Sequence, residues 1–197
     1  MVGNALEQEI IELYSDNPSS VYSINQIASK LGKKYPYINK KVTILIKNKI
    51  FKKIVVGRSH LCSLNLKNDE TIYLLILNEI RKKKKEMERS QRLEQASKYL
   101  AKAARAANIP LILKQKNSIL FVLDTKEAKN EFEKSMVKQA LHGHEASLMT
   151  KEEFLQALKE DKTLHEDHTI LHGFEKYYEY IREIEDELKI RYSKLTP

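Results

Sequence analysis

Apolar residues first recur at helical spacing within Ala5–Ser15, where Ile10, Ile11 and Tyr14 share a face before Asn17-Pro18 ends the run. Ser23 followed by Gln26 has the form of a capping box and opens a second short helix, "INQIASKL", which Gly32 stops. Pro36 suits a helix start, so a third helix is expected over Pro36–Asn48. Along it Ile38, Val42, Leu45 and Ile46 fall on one side, and Lys40, Thr43 and Lys47 on the other. The period then changes. "FKKIVV" and "HLCSLNL", separated by Gly57-Arg58-Ser59, predict a β-hairpin.

After the hairpin, the chain from Asp69 to Asn108 reads as helix almost throughout, with a break expected near Met87–Gln91. Its first part, Ile72 to Ile80, is apolar around most of its circumference and calls for burial against a domain or a partner chain. From Ile109 short β and α segments alternate. "LILKQ", "ILFVLD" and "HEASLMT" have strand length, "KEAKNEFEKSMVKQAL" is an amphipathic helix, and Thr150 with Glu153 caps another helix, "KEEFLQALKED". Phe174, Tyr177, Ile181, Ile184 and Leu188 form a final stripe, which reads either as a short coiled-coil seam or as packing on its own domain. The expected fold class is α+β: residues 1–68 as one domain, 69–107 as connecting helices and 108–197 as a small α/β domain.

Charge changes the picture because it is segregated. The net charge is +8, yet no Asp or Glu occurs between Asn17 and Asn68, while Lys30, Lys33, Lys34, Lys40, Lys41, Lys47, Lys49, Lys52, Lys53, Arg58 and Lys67 all do. Beyond Asp124 acidic runs such as "EIEDE" dominate. A cationic module attached to something else is the reading such a division favours over a merely solubilised face. "RKKKK" at Arg81–Lys85 fits a localisation signal, a phosphate contact or a solvated helix face. The N-terminus "MVGNALEQEIIELY" is amphipathic and acidic, unlike a signal peptide, and no apolar run approaches the roughly 20 residues that cross a bilayer. A cytoplasmic, nucleoid-associated protein is expected.

The stretch "YSINQIASKLGKKYPYINKKVTILIKNKIFKKIVVGRSHLCSLNL" resembles the archaeal and bacterial winged helix-turn-helix domains of the MarR-like kind, over about a third of the chain. The resemblance implies duplex DNA as partner, with the third helix in the major groove and the hairpin turn on the backbone. On that footing Tyr37, Lys40, Thr43 and Lys47 face the groove, Lys33, Lys34 and Lys41 sit near phosphates, and Arg58 tips the wing. Lysines dominate and no Arg, Gln or Asn lies on the groove side, so affinity with modest sequence preference is expected.

The segment "SLMTKEEFLQALKEDKTLHEDHTILHGFEKYYEYI" resembles the C-terminal portion of small archaeal nucleotidyltransferase domains. Active members carry a Gly-Ser loop for the triphosphate and an Asp-x-Asp pair that holds Mg²⁺. Here there is no Gly-Ser pair, the carboxylate positions fall near Asn117 and Ile119, and Asp124 lies at the wrong end of the strand. The resemblance therefore implies a degenerate domain with no catalytic residues, no metal and no cofactor, open to a small-molecule or protein partner. A homodimer is open too, through the last helix or through Ile72–Ile80. The rivals are a divergent nucleotidyltransferase and a module that binds protein or RNA. His165, His168 and His172 could share a helical face as metal ligands, but Thr169, Ile170 and Gly173 favour strand or loop there. His142-Gly143-His144 reads as a turn, and lone Cys62 as packing.

Overall fold

In a computed structural model, residues 5–56, 59–116, 118–135, 145–160, 164 and 167–188 are described. The protein combines helices with two separate small sheets and divides into two compact units. Residues 1–78 and the segment from Glu185 onward form the first, and residues 79–184 the second.

The first unit runs α1 (Ala5–Glu12), β1 (Val21–Ser23), α2 (Ile24–Leu31), α3 (Tyr35–Lys47), β2 (Phe51–Val56) and β3 (Ser59–Leu64), and enters α4 (Asp69–Arg89). The Ser23 capping box is formed in both directions: Gln26 N–H donates to Ser23 Oγ at 3.2 Å, and Ser23 N–H to Gln26 Oε1 at 2.7 Å. Gly32 then closes α2 in the left-handed conformation, its N–H reaching back to the carbonyls of Ala28 and Ser29. Helix α3 starts one residue earlier than the proline suggested, with Lys34 at its cap and Pro36 in its first turn.

The hairpin pairs β2 with β3 from Phe51↔Leu64 to Val56↔Ser59. A strand the periodicity did not reveal, β1, adds to the other side of β3 to give an antiparallel sheet in the order β1-β3-β2. Tyr14 ties α1 to this sheet: its ring lies 5.1 Å from those of Phe51 and Tyr22, and its hydroxyl donates to the Cys62 carbonyl at 3.1 Å. Burial pushes the Tyr14 phenol well above its ordinary value, so it stays a donor. Cys62 is fully buried in β3, a packing role.

The second unit holds the remainder of α4, then α5 (Gln91–Ala106), β4 (Leu111–Gln115), β5 (Ser118–Leu123), α6 (Lys126–Ser135), β6 (Glu145–Thr150), α7 (Lys151–Glu160), β7 (Thr169–His172) and α8 (Phe174–Glu183). Ser90 breaks the long helical run and caps α5, its Oγ accepting from Leu93 N–H at 3.3 Å. The sheet order is β6-β5-β4-β7, with β5 and β6 parallel across α6 and the other pairs antiparallel. On one face Ile112, Ile119, Phe121, Leu123 and Leu171 pack with Leu100 and Ala104 of α5 and Phe132 of α6. Alternation turns Leu113, Leu120 and Val122 the other way. Phe154 of α7 and Tyr177 and Tyr180 of α8 form an aromatic cluster, with Phe154 6.5 Å and 6.1 Å from the two tyrosine rings.

Two readings that the sequence left open are narrowed here. Tyr177, Ile181, Ile184 and Leu188 are all buried within the chain and Phe174 is half-buried, so the last apolar stripe is intrachain packing and not an open coiled-coil seam. His168 is buried too, its ring 4.8 Å from that of Tyr177, while His172 sits on β7 and His165 lies outside the described residues. Among the described residues no group of three His, Cys, Asp or Glu is placed to hold a metal. The turn expected at His142-Gly143-His144 also lies outside them.

His172 carries a pH prediction. Burial, then the cations Arg105 and Lys83, hold its imidazole below the ordinary value, against a smaller opposing pull from Glu175. The unfolded chain therefore binds more protons than the folded one as pH falls through the ordinary histidine range, near ~6.5, and the fold loses stability in that window. Urea melts at pH 7.5 and 5.5 should show a loss on acidification that His172→Gln reduces; an unchanged difference would remove His172 as its source.

Candidate nucleic-acid interface

The cationic segment becomes a surface because α3 is anchored on one side only. Ile38, Val42 and Leu45 are fully buried, fixing the helix by its apolar stripe. The opposite side presents Tyr37, Lys40, Thr43 and Lys47, all exposed. From Tyr37 to Lys47 is ten residues, so the stripe runs about 15 Å along the helix axis. Tyr37 is 66% exposed and its neighbour Tyr35 46%, unusually open for aromatic side chains.

The end of α3 is held firmly against the sheet. Lys49 follows it in the left-handed region (φ 59°), and its carbonyl accepts from the side-chain amides of Asn65 at 2.9 Å and Asn68 at 3.1 Å. Asn65 N–H also donates to the Ile50 carbonyl at 2.8 Å. These bonds fix the angle between α3 and the hairpin, which decides whether both can meet one rigid partner.

Not every expected lysine is free. Lys41 is half-buried and its ammonium lies 3.0 Å from Glu7, itself buried on α1. Lys33 lies 3.7 Å from Glu9, two residues along α1 from Glu7, and this pair is far more exposed. The acids missing from the basic stretch are thus supplied by α1, and they neutralise its inner edge. A buried pair of this kind orients α1 against α3 more than it stabilises the fold. Lys34, Lys40 and Lys47 have no ion pair among the described residues, and each is exposed. Thr43 Oγ1 is taken up by the Asn39 carbonyl at 2.7 Å, leaving its methyl and a lone pair outward. Lys30 lies over the Tyr22 ring, 5.0 Å from its centroid. On β2, Lys53, Ile54 and Val55 are exposed, while Lys52 is engaged with Glu185 at 3.4 Å. Arg58 lies outside the described residues.

In the second unit, the carboxyl ends of the parallel strands β5 and β6 open on a cavity of about 750 Å³ lined by Asp124, Glu127, Thr150, Glu153 and Glu160 among others. Asp124 accepts from the Tyr180 hydroxyl at 3.5 Å. Glu153 belongs to the second capping box and bonds Lys129 at 2.7 Å, which together with the Thr150 N–H holds its carboxyl below the ordinary value. Ile119, where the nucleotidyltransferase resemblance would want a metal carboxylate, is fully buried in the hydrophobic core; Asn117 lies outside the described residues.

No protein-family model, no curated protein and no solved structure matches this chain. Among the described residues, no helix is long and apolar enough to cross a membrane. What the first unit offers is therefore read from its own surface: a helix anchored by its buried stripe, carrying an open tyrosine and lysines unpaired among the described residues over about 15 Å.

Proposed function

We propose that this chain binds duplex DNA through its first unit, acting as a transcriptional regulator or chromatin-associated factor. In this reading residues 1–68 are a winged helix-turn-helix, α3 lies in the major groove and the β2–β3 hairpin rides on the adjacent backbone. One observation carries it: Lys34, Lys40 and Lys47, unpaired among the described residues, share α3 and its cap with the exposed Tyr37, in a segment without a single acid. Lys34 meets phosphate at the edge of the footprint. Lys40 and Lys47 face the groove with their ammoniums on the phosphates that flank it, and Tyr37 and the Thr43 methyl make the apolar contacts that bases and sugars offer. Lys33 and Lys41, held by Glu9 and Glu7, contribute less. Arg58 remains the residue expected at the wing tip.

Such a surface positions more than it reads. Lysine is a point charge without the bidentate fork of arginine, so discrimination between sequences is modest. The second unit is a degenerate nucleotidyltransferase-like domain that serves a partner or ligand and transfers nothing. A homodimer through the start of α4 fits the outward position of Tyr73 and Leu77, while Ile72, Leu75 and Ile76 are buried.

Competition binding with duplex DNA, single-stranded DNA and double-stranded RNA of equal length tests the reading. Duplex DNA should compete best, by about tenfold. If RNA or single strands compete equally, the rival reading of the first unit, a module that binds protein or RNA, is favoured instead. Nucleotide transfer from labelled ATP with Mg²⁺ or Mn²⁺ would instead establish the enzyme.

A further inference from the structure

The "RKKKK" run is not a uniform solvated face. Lys84 is exposed, with 78% of its side chain open, whereas Lys83 is half-buried and its ammonium donates to the Leu171 carbonyl of β7 at 2.6 Å. The same ammonium sits over the Phe174 ring, 5.6 Å from its centroid. Beside it lies a groove of about 440 Å³, within the ~300–1,000 Å³ span of small-molecule sites, with apolar walls from Ile80, Met87 and Phe174. Ile80, Lys83, Lys84, Met87 and Glu88 stand at i, i+3, i+4, i+7 and i+8 on one face of α4, so the groove follows that helix for about two turns, or ~12 Å.

Its charges are unequal. The two lining carboxylates each have a lysine on their own helix: Glu88 lies 4.0 Å from Lys84, and Glu94 2.7 Å from Lys98. Among the described residues Lys83 has no carboxylate partner, only a neutral carbonyl and a ring. A half-buried cation without a counter-charge is an incomplete arrangement. Burial already holds its amine below the ordinary lysine value, a cost that an incoming anion would offset.

We propose that this groove binds a carboxylate-headed aliphatic molecule of medium chain length, with the head on Lys83 Nζ and the tail along Ile80, Met87 and Phe174. The elongated shape selects an alkyl chain over a compact polar ligand, and the adaptable Met87 side chain suits a flexible tail. The single uncompensated cation selects an anionic head over a neutral or cationic one. This inference does not depend on what the first unit binds.

The test uses the full chain and calorimetric titration with octanoate, octanol and octylamine, all of one tail length, and with acetate as the head alone. Octanoate should bind one per chain, about tenfold or more tighter than octanol. Octylamine and acetate should bind more weakly still. Lys83→Met should lower octanoate to the level of octanol, while Lys83→Arg, which keeps the cation, should retain the preference for octanoate. Circular dichroism and thermal melts on both variants establish that they are folded. Equal affinity for octanoate and octanol, or an octanoate affinity that Lys83→Met leaves untouched, would overturn the proposal. Binding of acetate as tight as octanoate would also overturn it, because the apolar walls would then contribute nothing.

Discussion

The double variant Lys40→Glu/Lys47→Glu is expected to bind duplex DNA roughly 100-fold more weakly than wild type at ~0.1 M salt. Each substitution removes a cation and places an anion where a phosphate would lie, so the two add. Both side chains are exposed and neither is paired among the described residues, so the fold should be left intact and the melting temperature little changed. Lys41→Met supplies the contrast. Its ammonium is engaged with Glu7 at 3.0 Å, so losing it should alter binding by less than about threefold while destabilising the α1–α3 contact, because Glu7 stays behind, buried and unpaired. Band-shift titrations with a thermal melt on each protein check both halves. If Lys41→Met proves as damaging to binding as the reversal, the ion pair opens on contact and the inner edge of α3 joins the footprint.

Gly173→Ala is expected to be strongly destabilising, by about 3 kcal/mol or more. Two costs combine there. The residue lies at φ 83°, a conformation that costs side-chain-bearing residues ~1–2 kcal/mol. Worse, a methyl group would stand 2.0 Å from the Pro110 carbonyl oxygen and 3.1 Å from the Leu111 Cα. Both are main-chain atoms leading into β4, so relief requires moving a central strand of the second sheet or the start of α8. Gly32 separates the two costs: it has a similar φ of 61°, but an added Cβ meets nothing within 4 Å. Gly32→Ala should therefore cost only the conformational part, about 1 kcal/mol. Urea melts of the two variants measure the difference. Equal losses would mean that the strands around Pro110 yield more readily than a packed interior should.

The parts of this fold that were legible in the sequence are those fixed by residues a few positions apart. Both capping boxes, Ser23 with Gln26 and Thr150 with Glu153, are local and formed as their spacing suggested. The apolar stripe of α3 and the break at Ser90 belong to the same class. Strand β1 escaped because its three residues have no period of their own; its partners, Leu61 to Ser63, lie some forty residues away. The pairing of Lys41 with Glu7, 34 positions apart, was invisible for the same reason, and it redraws the candidate interface. Lys83 shows the limit most sharply. Within a run of like charges nothing marks one lysine as the inward one, and only the approach of β7 and Phe174 does so.

The measurement that tests the central claim most directly is the affinity of the wild-type chain for a random-sequence DNA duplex across salt concentrations from 50 to 200 mM. With Lys34, Lys40, Lys47 and the wing arginine on phosphates, log affinity should fall linearly with log salt at a slope of about −3 to −4, and Lys40→Glu/Lys47→Glu should flatten that slope by about 2. An absence of duplex binding at 50 mM salt, or a slope that the double variant leaves unchanged, would contradict it: the lysines of α3 would then be a solvated face.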